Sequence, residues 1–328
     1  MDGLHNIASI QYKDAKCVLL TSSAVHGVAN ASSDIDLICI RGGDTTDTAM
    51  ATQLHCGENH IEVIAFSERQ LRETEAILYD MAVGSLAVRA EAAGTWNRLV
   101  PIPRKYVERI ATGVDANGCV PYQHIQASVC AVWVALGVEQ ARQCAVLAAL
   151  ACRCAERRAA MGYATNTVLS AMNALLSALY WPLLNKKWTV KRWSAAADWF
   201  VDDPLYARWG QRLTNAWQQM AGRLGGELDD KDAFTICHLV DDLVGELDGD
   251  APSMAATVTL QTGLVTALLL PGACLVSDIA GQRSVLLPET ANDRLPDTAV
   301  GTLLSLPPRD AAFWLGASRA GFTRIALA

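Results

Sequence analysis

Thr21-Ser22-Ser23-Ala24-Val25-His26-Gly27-Val28-Ala29-Asn30-Ala31-Ser32-Ser33-Asp34-Ile35-Asp36-Leu37 is the stretch on which the reading of this chain turns. The apolar run Lys16 to Thr21 (KCVLLT) ends in a small polar turn with Ser22, Ser23 and Gly27. Asp34 to Ile40 (DIDLICI) then alternates with period two, which predicts a strand. Ile35, Leu37 and Cys39 fall on one face and Asp34, Asp36, Ile38 and Ile40 on the other. Two carboxylates side by side on one face repel each other unless a cation sits between them, and hard divalent cations suit oxygen ligands. The Ser/Gly turn offers backbone N–H groups and hydroxyls where an anion is welcome. Phosphate donors, Mg²⁺ and paired acids together point to phosphoryl or nucleotidyl transfer.

Outward from this stretch, residues 1–110 read as mixed α/β. His60 to Phe66 (HIEVIAF) predicts a further strand. Ser67 to Asp80 predicts a helix with Ser67 as N-cap and Gln70 at the capping-box position. Arg41 to Asp47 (RGGDTTD) is turn chemistry. Residues 121–250 predict a helical bundle: Ile125–Ala160, Thr165–Leu184 with an end or kink at Trp181-Pro182, Ser194–Phe200, Leu205–Leu224 and Asp230–Leu247. Gly249-Asp250-Ala251-Pro252 reads as a linker, and the remainder as a small α+β unit. The expected fold class is therefore α+β, with domains at 1–115, 116–250 and 251–328.

The composition excludes several function classes. With 51% apolar and 19% charged residues the 328-residue chain is globular, neither disordered nor fibrous. A net charge of −7 argues against a broad basic surface for nucleic acid. Ten cysteines include no CxxC pair, the closest spacing being Cys152-x-Cys154, so a zinc ribbon is not expected and buried free thiols are. The start MDGLHNIASI lacks an apolar signal region, and neither 127–151 nor 256–270 reaches about 20 clean apolar residues, so a soluble, cytoplasmic protein is expected. No GxSxG, P-loop or dinucleotide fingerprint is present. His5, His55, His124 and His238 are too scattered for a metal site, and Asp230, Asp232, Asp241, Asp242 and Glu246 read as a wet helix face or, alternatively, an acceptor-pocket lining.

The spacing of Ser23, Gly27, Asp34 and Asp36, with Ser33-Asp34-Ile35-Asp36-Leu37 in the frequent SDIDL form, resembles the polymerase-β-like nucleotidyltransferase superfamily. The departure is Ser22, where that family usually carries Gly; if close approach of backbone to phosphate needs Gly there, triphosphate binding is weakened. The resemblance implies a third carboxylate on a later strand. Glu62, polar between Ile61 and Val63, is the best candidate, with Glu58 and His60 as neighbouring rivals. It further implies two Mg²⁺ ions about 4 Å apart, held by Asp34, Asp36 and Glu62. Ser22, Ser23, Ser33 and the backbone near Gly27 would meet the phosphates of an NTP, with ATP the expected donor. An acceptor hydroxyl deprotonated near Glu62 would attack the α-phosphorus and expel pyrophosphate.

Leu184-Asn185-Lys186-Lys187-Trp188-Thr189-Val190-Lys191-Arg192-Trp193 gathers four cations and two Trp in an acidic chain. This segment is similar to one in small-molecule nucleotidyltransferases of the aminoglycoside-modifying type, where such a Lys reaches the triphosphate. Lys187 and Lys191 are the candidates here. The leading expectation is thus an enzyme that moves NMP from an NTP to a small molecule, in antibiotic modification or biosynthesis. The alternatives are transfer to a protein, a tRNA end or another nucleotide, and a catalytically decayed nucleotide-binding interaction protein. Nothing in the sequence fixes the oligomeric state.

Overall fold

The computed structural model describes residues 14–29, 33–42, 52–56, 59–183, 185–223, 225–248, 256–260, 265–270, 273–278, 282–288, 294–298 and 300–327. The predicted turn at 43–47, Glu58, His5 and the predicted linker Gly249–Pro252 lie outside the described residues. So do Asn30, Ala31 and Ser32 of the opening stretch.

The chain divides into two compact units, 1–84 with 88–133 and 176–199, and 85–87 with 134–175 and 200–328. In the first unit, strands β1 (Ala15–Thr21), β2 (Ile35–Arg41), β3 (Thr52–Cys56) and β4 (Asn59–Ser67) form one mixed sheet in the order β1-β2-β4-β3. β2 pairs antiparallel with β1 and parallel with β4, while β3 pairs antiparallel with β4. One face carries Val18, Leu37, Cys39, Ile61, Val63 and Ala65 as a buried cluster. On the other face Leu19, Ile38, Ile40, Ile64 and Phe66 are buried as well. The β2 strand is therefore apolar on both sides beyond Asp36, and the acid face is polar only at its N-terminal end. Residues that alternate in register place Thr21 against Asp36, and Asp36 against Glu62, at one edge of this sheet.

Helix α1 (Glu68–Met81) starts where the sequence places it: Ser67 accepts from the Gln70 amide and the Gln70 side chain accepts from the Ser67 amide. Helices α2 (Leu86–Gly94), α3 (Trp96–Leu99) and α4 (Arg104–Thr112) follow, in a region where the sequence reading placed no helix. α4 buries Val107, Glu108, Ile110 and Ala111. The first turns of α5 (Gln126–Arg153) and the later segment with α7 (Thr189–Trp199) complete this unit.

The second unit holds the rest of α5, most of α6 (Arg157–Ala178), α8 (Pro204–Ala221) and α9 (Asp230–Asp248). The long helix predicted over Ile125–Ala160 ends at Arg153, and the next begins at Arg157 rather than Thr165. The break is a left-handed C-terminal cap: Ala155 has φ 59°, its N–H donates to Cys152 O, and Glu156 N–H donates to Ala151 O. The α6 end repeats the device at Tyr180 (φ 60°), with Trp181 N–H donating to Leu176 O. Residues Gln123–Arg153 are long and apolar enough to cross a membrane by length and composition, but 72% of their most apolar window is buried inside the protein.

The acids of α9 are not simply wet. Asp232 bonds Gln219 and Arg223, Asp242 pairs with Arg212 at 2.6 Å, Glu246 with Arg208 at 2.6 Å, and Asp241 faces buried Arg142 at 3.5 Å. The C-terminal part is α+β as expected, with strands β5 (Ala256–Leu260), β6 (Val265–Leu270), β7 (Ala273–Asp278), β8 (Ser284–Pro288), β9 (Arg294–Thr298) and β10 (Thr323–Leu327) and helix α10 (Pro308–Arg319). The strands form two sheets, in the orders β10-β5-β9 and β6-β7-β8. None of the nine cysteines Cys17, Cys39, Cys119, Cys130, Cys144, Cys152, Cys154, Cys237 and Cys274 forms a disulfide.

Candidate active site

The sheet edge where β1 ends and β2 and β4 begin opens on a polar cleft of about 250 Å³ within the first unit. Ser22, Ser23, Ser33, Asp34, Asp36, Glu62, Arg109, Asn185, Lys187 and Trp188 line it. Asp34 and Asp36 therefore face one space, as period-two spacing requires. A larger groove of about 370 Å³ in the second unit, between α8 and α9, is lined by Arg212, Phe234 and His238 but has no paired acids.

The serine turn is built by its own backbone. His26 N–H donates to Ser22 O, Gly27 N–H to Ala24 O, and Val28 and Ala29 N–H both to Ser23 O. The amides of Ser23, Ala24 and Val25 stay outside this ladder. Gly27 (φ 66°) and Ser22 (φ 64°) both adopt the left-handed region that favours glycine. The position at which Ser departs from the resembled pattern is thus one where the backbone asks for Gly. The left-handed conformation costs an L-residue roughly 1–2 kcal/mol, and glycine's unfolded-state entropy takes back about 0.4–1 kcal/mol. Ser22→Gly should accordingly raise stability in urea denaturation by about 0.5 kcal/mol. A drop of that size would contradict the turn geometry.

His26, inside the turn, is 4% exposed. Its Nδ1 accepts from Trp181 Nε1 at 2.9 Å, which leaves the proton on Nε2, and that atom is buried without a partner. Burial, reinforced by the positive charges of Arg192 and Arg109, pulls its pKa down to about 4. The folded state thus keeps His26 neutral while the unfolded chain takes up a proton near pH 6.5. Its stabilising contribution is complete above pH 6.5 and is lost as the pH falls through about 4. The unfolding free energy from urea denaturation, measured from pH 7.5 to 4.5, should fall by up to about 3 kcal/mol in all, and less steeply in His26→Gln.

Asp36 and Glu62 are direct cross-strand partners in the parallel β2–β4 pair. Burial of Glu62, its side-chain hydrogen bond with Asp36 and the Asp36 charge push the Glu62 carboxyl above the usual range; Lys105 and Arg109 oppose this. Arg109 Nη1 reaches Asp36 Oδ1 at 3.2 Å. Asp34, 60% exposed, has its Oδ1 3.1 Å from His60 Nδ1. Thr21 Oγ1 donates to the Asp36 carbonyl at 3.1 Å and ties the turn's first residue to the acid strand.

The basic segment enters at Asn185, whose side chain caps the short 3₁₀ turn Lys186–Trp188 by accepting from the Lys187 amide. Lys187 lines the cleft, with its Nζ 4.8 Å from the centre of the Trp188 ring. Lys191 has a different place: its Nζ donates to Val28 O at 2.9 Å and holds the far end of the serine turn. Gly27 is likewise part of the turn rather than the cleft wall. Sequence reasoning did not single out Arg109, Asn185 or Trp188. Asn185 and Trp188 sit in the basic segment itself, whereas Arg109 is one of three cations on α4, a helix the sequence reading did not place.

Asp34, Asp36 and Glu62 offer the hard oxygen atoms that a divalent cation takes, and the crowding of Asp36 on Glu62 is the repulsion such a cation relieves. Among the described residues no three acid, His or Cys side chains already converge on one point, and Arg109 and His60 hold two of the acids.

No curated protein matches the chain. Among solved structures, a nucleotidyltransferase-like protein from Exiguobacterium sibiricum 255-15 is similar at 12% identity, over 72% of this chain and 73% of that one, with a TM-score of 0.26. A family model spans residues 1–328 in full, and the chain belongs to that family, the family of unknown function DUF6001.

Proposed function

We propose that the cleft binds a nucleoside triphosphate and transfers its NMP group to a hydroxyl, or a similar nucleophile, of a small-molecule acceptor, with release of pyrophosphate. The observation that carries this reading is the pairing of Asp36 with Glu62 across β2 and β4, in a cleft shared with Ser22, Ser23 and Lys187. Asp34, Asp36 and Glu62 would hold magnesium, two ions in all, which when bound neutralises phosphate charge. Ser23 and the adjoining amides bind phosphate oxygens. Lys187 adds a point charge, and Trp188 offers a flat apolar surface beside it. Glu62, beside the bound metal, takes the acceptor's hydroxyl proton. The acceptor oxygen then forms its bond to the α-phosphorus while the bond to the bridging oxygen of the pyrophosphate breaks, and that oxygen leaves with the electron pair. Positioning and charge supply most of the acceleration.

The test is to incubate the protein with each labelled NTP, ATP first, with Mg²⁺ and with or without candidate acceptors, and to measure pyrophosphate. Release that requires a small acceptor supports this reading. Label on protein or RNA replaces the acceptor class. Binding without turnover supports a nucleotide-binding interaction protein, a reading that the Arg109–Asp36 contact favours.

A further inference from the structure

Arg109 belongs to none of the motifs quoted above, yet it touches the acid at the centre of the cleft. It projects from the last turn of α4, a helix anchored by buried Val107, Ile110 and Ala111. Its Nη1 lies 3.2 Å from Asp36 Oδ1, and the two side chains are only 17% and 14% exposed, so solvent screens the pair poorly. This is its one hydrogen bond among the described residues, so most of the five donors of its fork are uncommitted. The guanidinium lines the same cleft as Ser22, Ser23 and Lys187.

A carboxylate already paired with a guanidinium is a poor cation ligand, because the incoming cation meets the fixed positive charge. Once a cation holds Asp36, the guanidinium loses its partner in a part-buried place and needs another anion. A triphosphate in the same cleft supplies oxygens that suit its fork. We propose that Arg109 is a triphosphate-binding residue that pairs with Asp36 only while the cleft is empty, so that it opposes the cation alone and favours the cation with polyphosphate. This rests on the nucleotide-binding reading of the cleft.

The two halves of the proposal have opposite signs, which makes it testable without turnover. Mn²⁺ alone, and Mn²⁺ saturated with inorganic tripolyphosphate, are titrated calorimetrically into the protein and into Arg109→Ala and Arg109→Lys. In Arg109→Ala, Mn²⁺ alone should bind about 10-fold tighter, and Mn²⁺–tripolyphosphate about 10-fold weaker. Arg109→Lys, which keeps the charge without the fork, should fall between. Changes of the same sign for both ligands, or no change in either, overturn the proposal. Asp36→Asn separates the two levels of failure. If Mn²⁺ binding ignores Asp36, the reading of the cleft is wrong; if it needs Asp36 but ignores Arg109, only the role of Arg109 falls. Absence of Mn²⁺ and polyphosphate binding in every variant overturns both.

Discussion

Asp36→Asn should lower acceptor-dependent pyrophosphate release by about 10³-fold or more, equivalent to roughly 4 kcal/mol of transition-state stabilisation. The substitution keeps the side chain's size and shape and removes one negative charge from the point where the strand edge meets the cleft. The fold has little reason to notice. The Thr21 hydroxyl bonds the Asp36 backbone carbonyl, which the change leaves in place. The lost pair with Arg109 is a single contact at 3.2 Å, and Asn still offers its amide oxygen to that guanidinium. Melting temperature should therefore stay within a few degrees of the parent while activity disappears. A second readout isolates the electrostatics: the Asp36 hydrogen bond and charge help to raise the Glu62 pKa, so in the nucleotide-free variant the Glu62 carboxyl should titrate lower, as carbon-13 NMR would show. Full activity in Asp36→Asn, with a proven acceptor, would remove the basis for assigning the chemistry to this cleft.

How much of this was legible in the sequence differs by element, for physical reasons. The β2 acids were legible because a two-residue repeat fixes which side chains share a face, whatever the strand packs against. The α1 start was legible because a capping box is a local bond pattern within four residues. The break between α5 and α6 was not, because its left-handed cap falls on Ala155, where tertiary packing pays for a conformation that Gly usually signals. Helices α2 to α4 are short, and α4 carries Arg104, Lys105, Glu108 and Arg109 among few apolar residues. Its pattern is easily taken for solvated surface, yet Glu108 is buried. In α9 the acids looked solvated because their arginine partners lie on distant stretches of chain. Lys187 and Lys191 looked equivalent in the sequence, and only the backbone carbonyls of Val28 and Ala29 tell them apart.

Arg192→Met should be the most destabilising single change within the first unit's polar set, with a loss of about 3–5 kcal/mol. Arg192 is fully buried, and its guanidinium donates to the carbonyls of Trp181 and Leu183 and lies 4.9 Å from the Trp181 ring centre. Burial pulls its pKa down to about 9, against the opposing charge of Glu108. Glu108, itself 2% exposed, accepts from Trp133 Nε1 at 2.6 Å. Met matches the aliphatic stem but removes the positive charge that the Glu108 carboxylate senses, and leaves two carbonyls without the Arg192 donor. Glu108→Gln combined with Arg192→Met removes both charges, so the double variant should lose clearly less than the sum of the singles in urea denaturation. Additive losses would show that the two charges do not sense each other. The carbonyls that Arg192 holds belong to the segment that delivers Asn185, Lys187 and Trp188 to the cleft. The same variant, assayed below its melting point, should accordingly bind Mn²⁺–tripolyphosphate more weakly while its affinity for Mn²⁺ alone, set at β2 and β4, changes little.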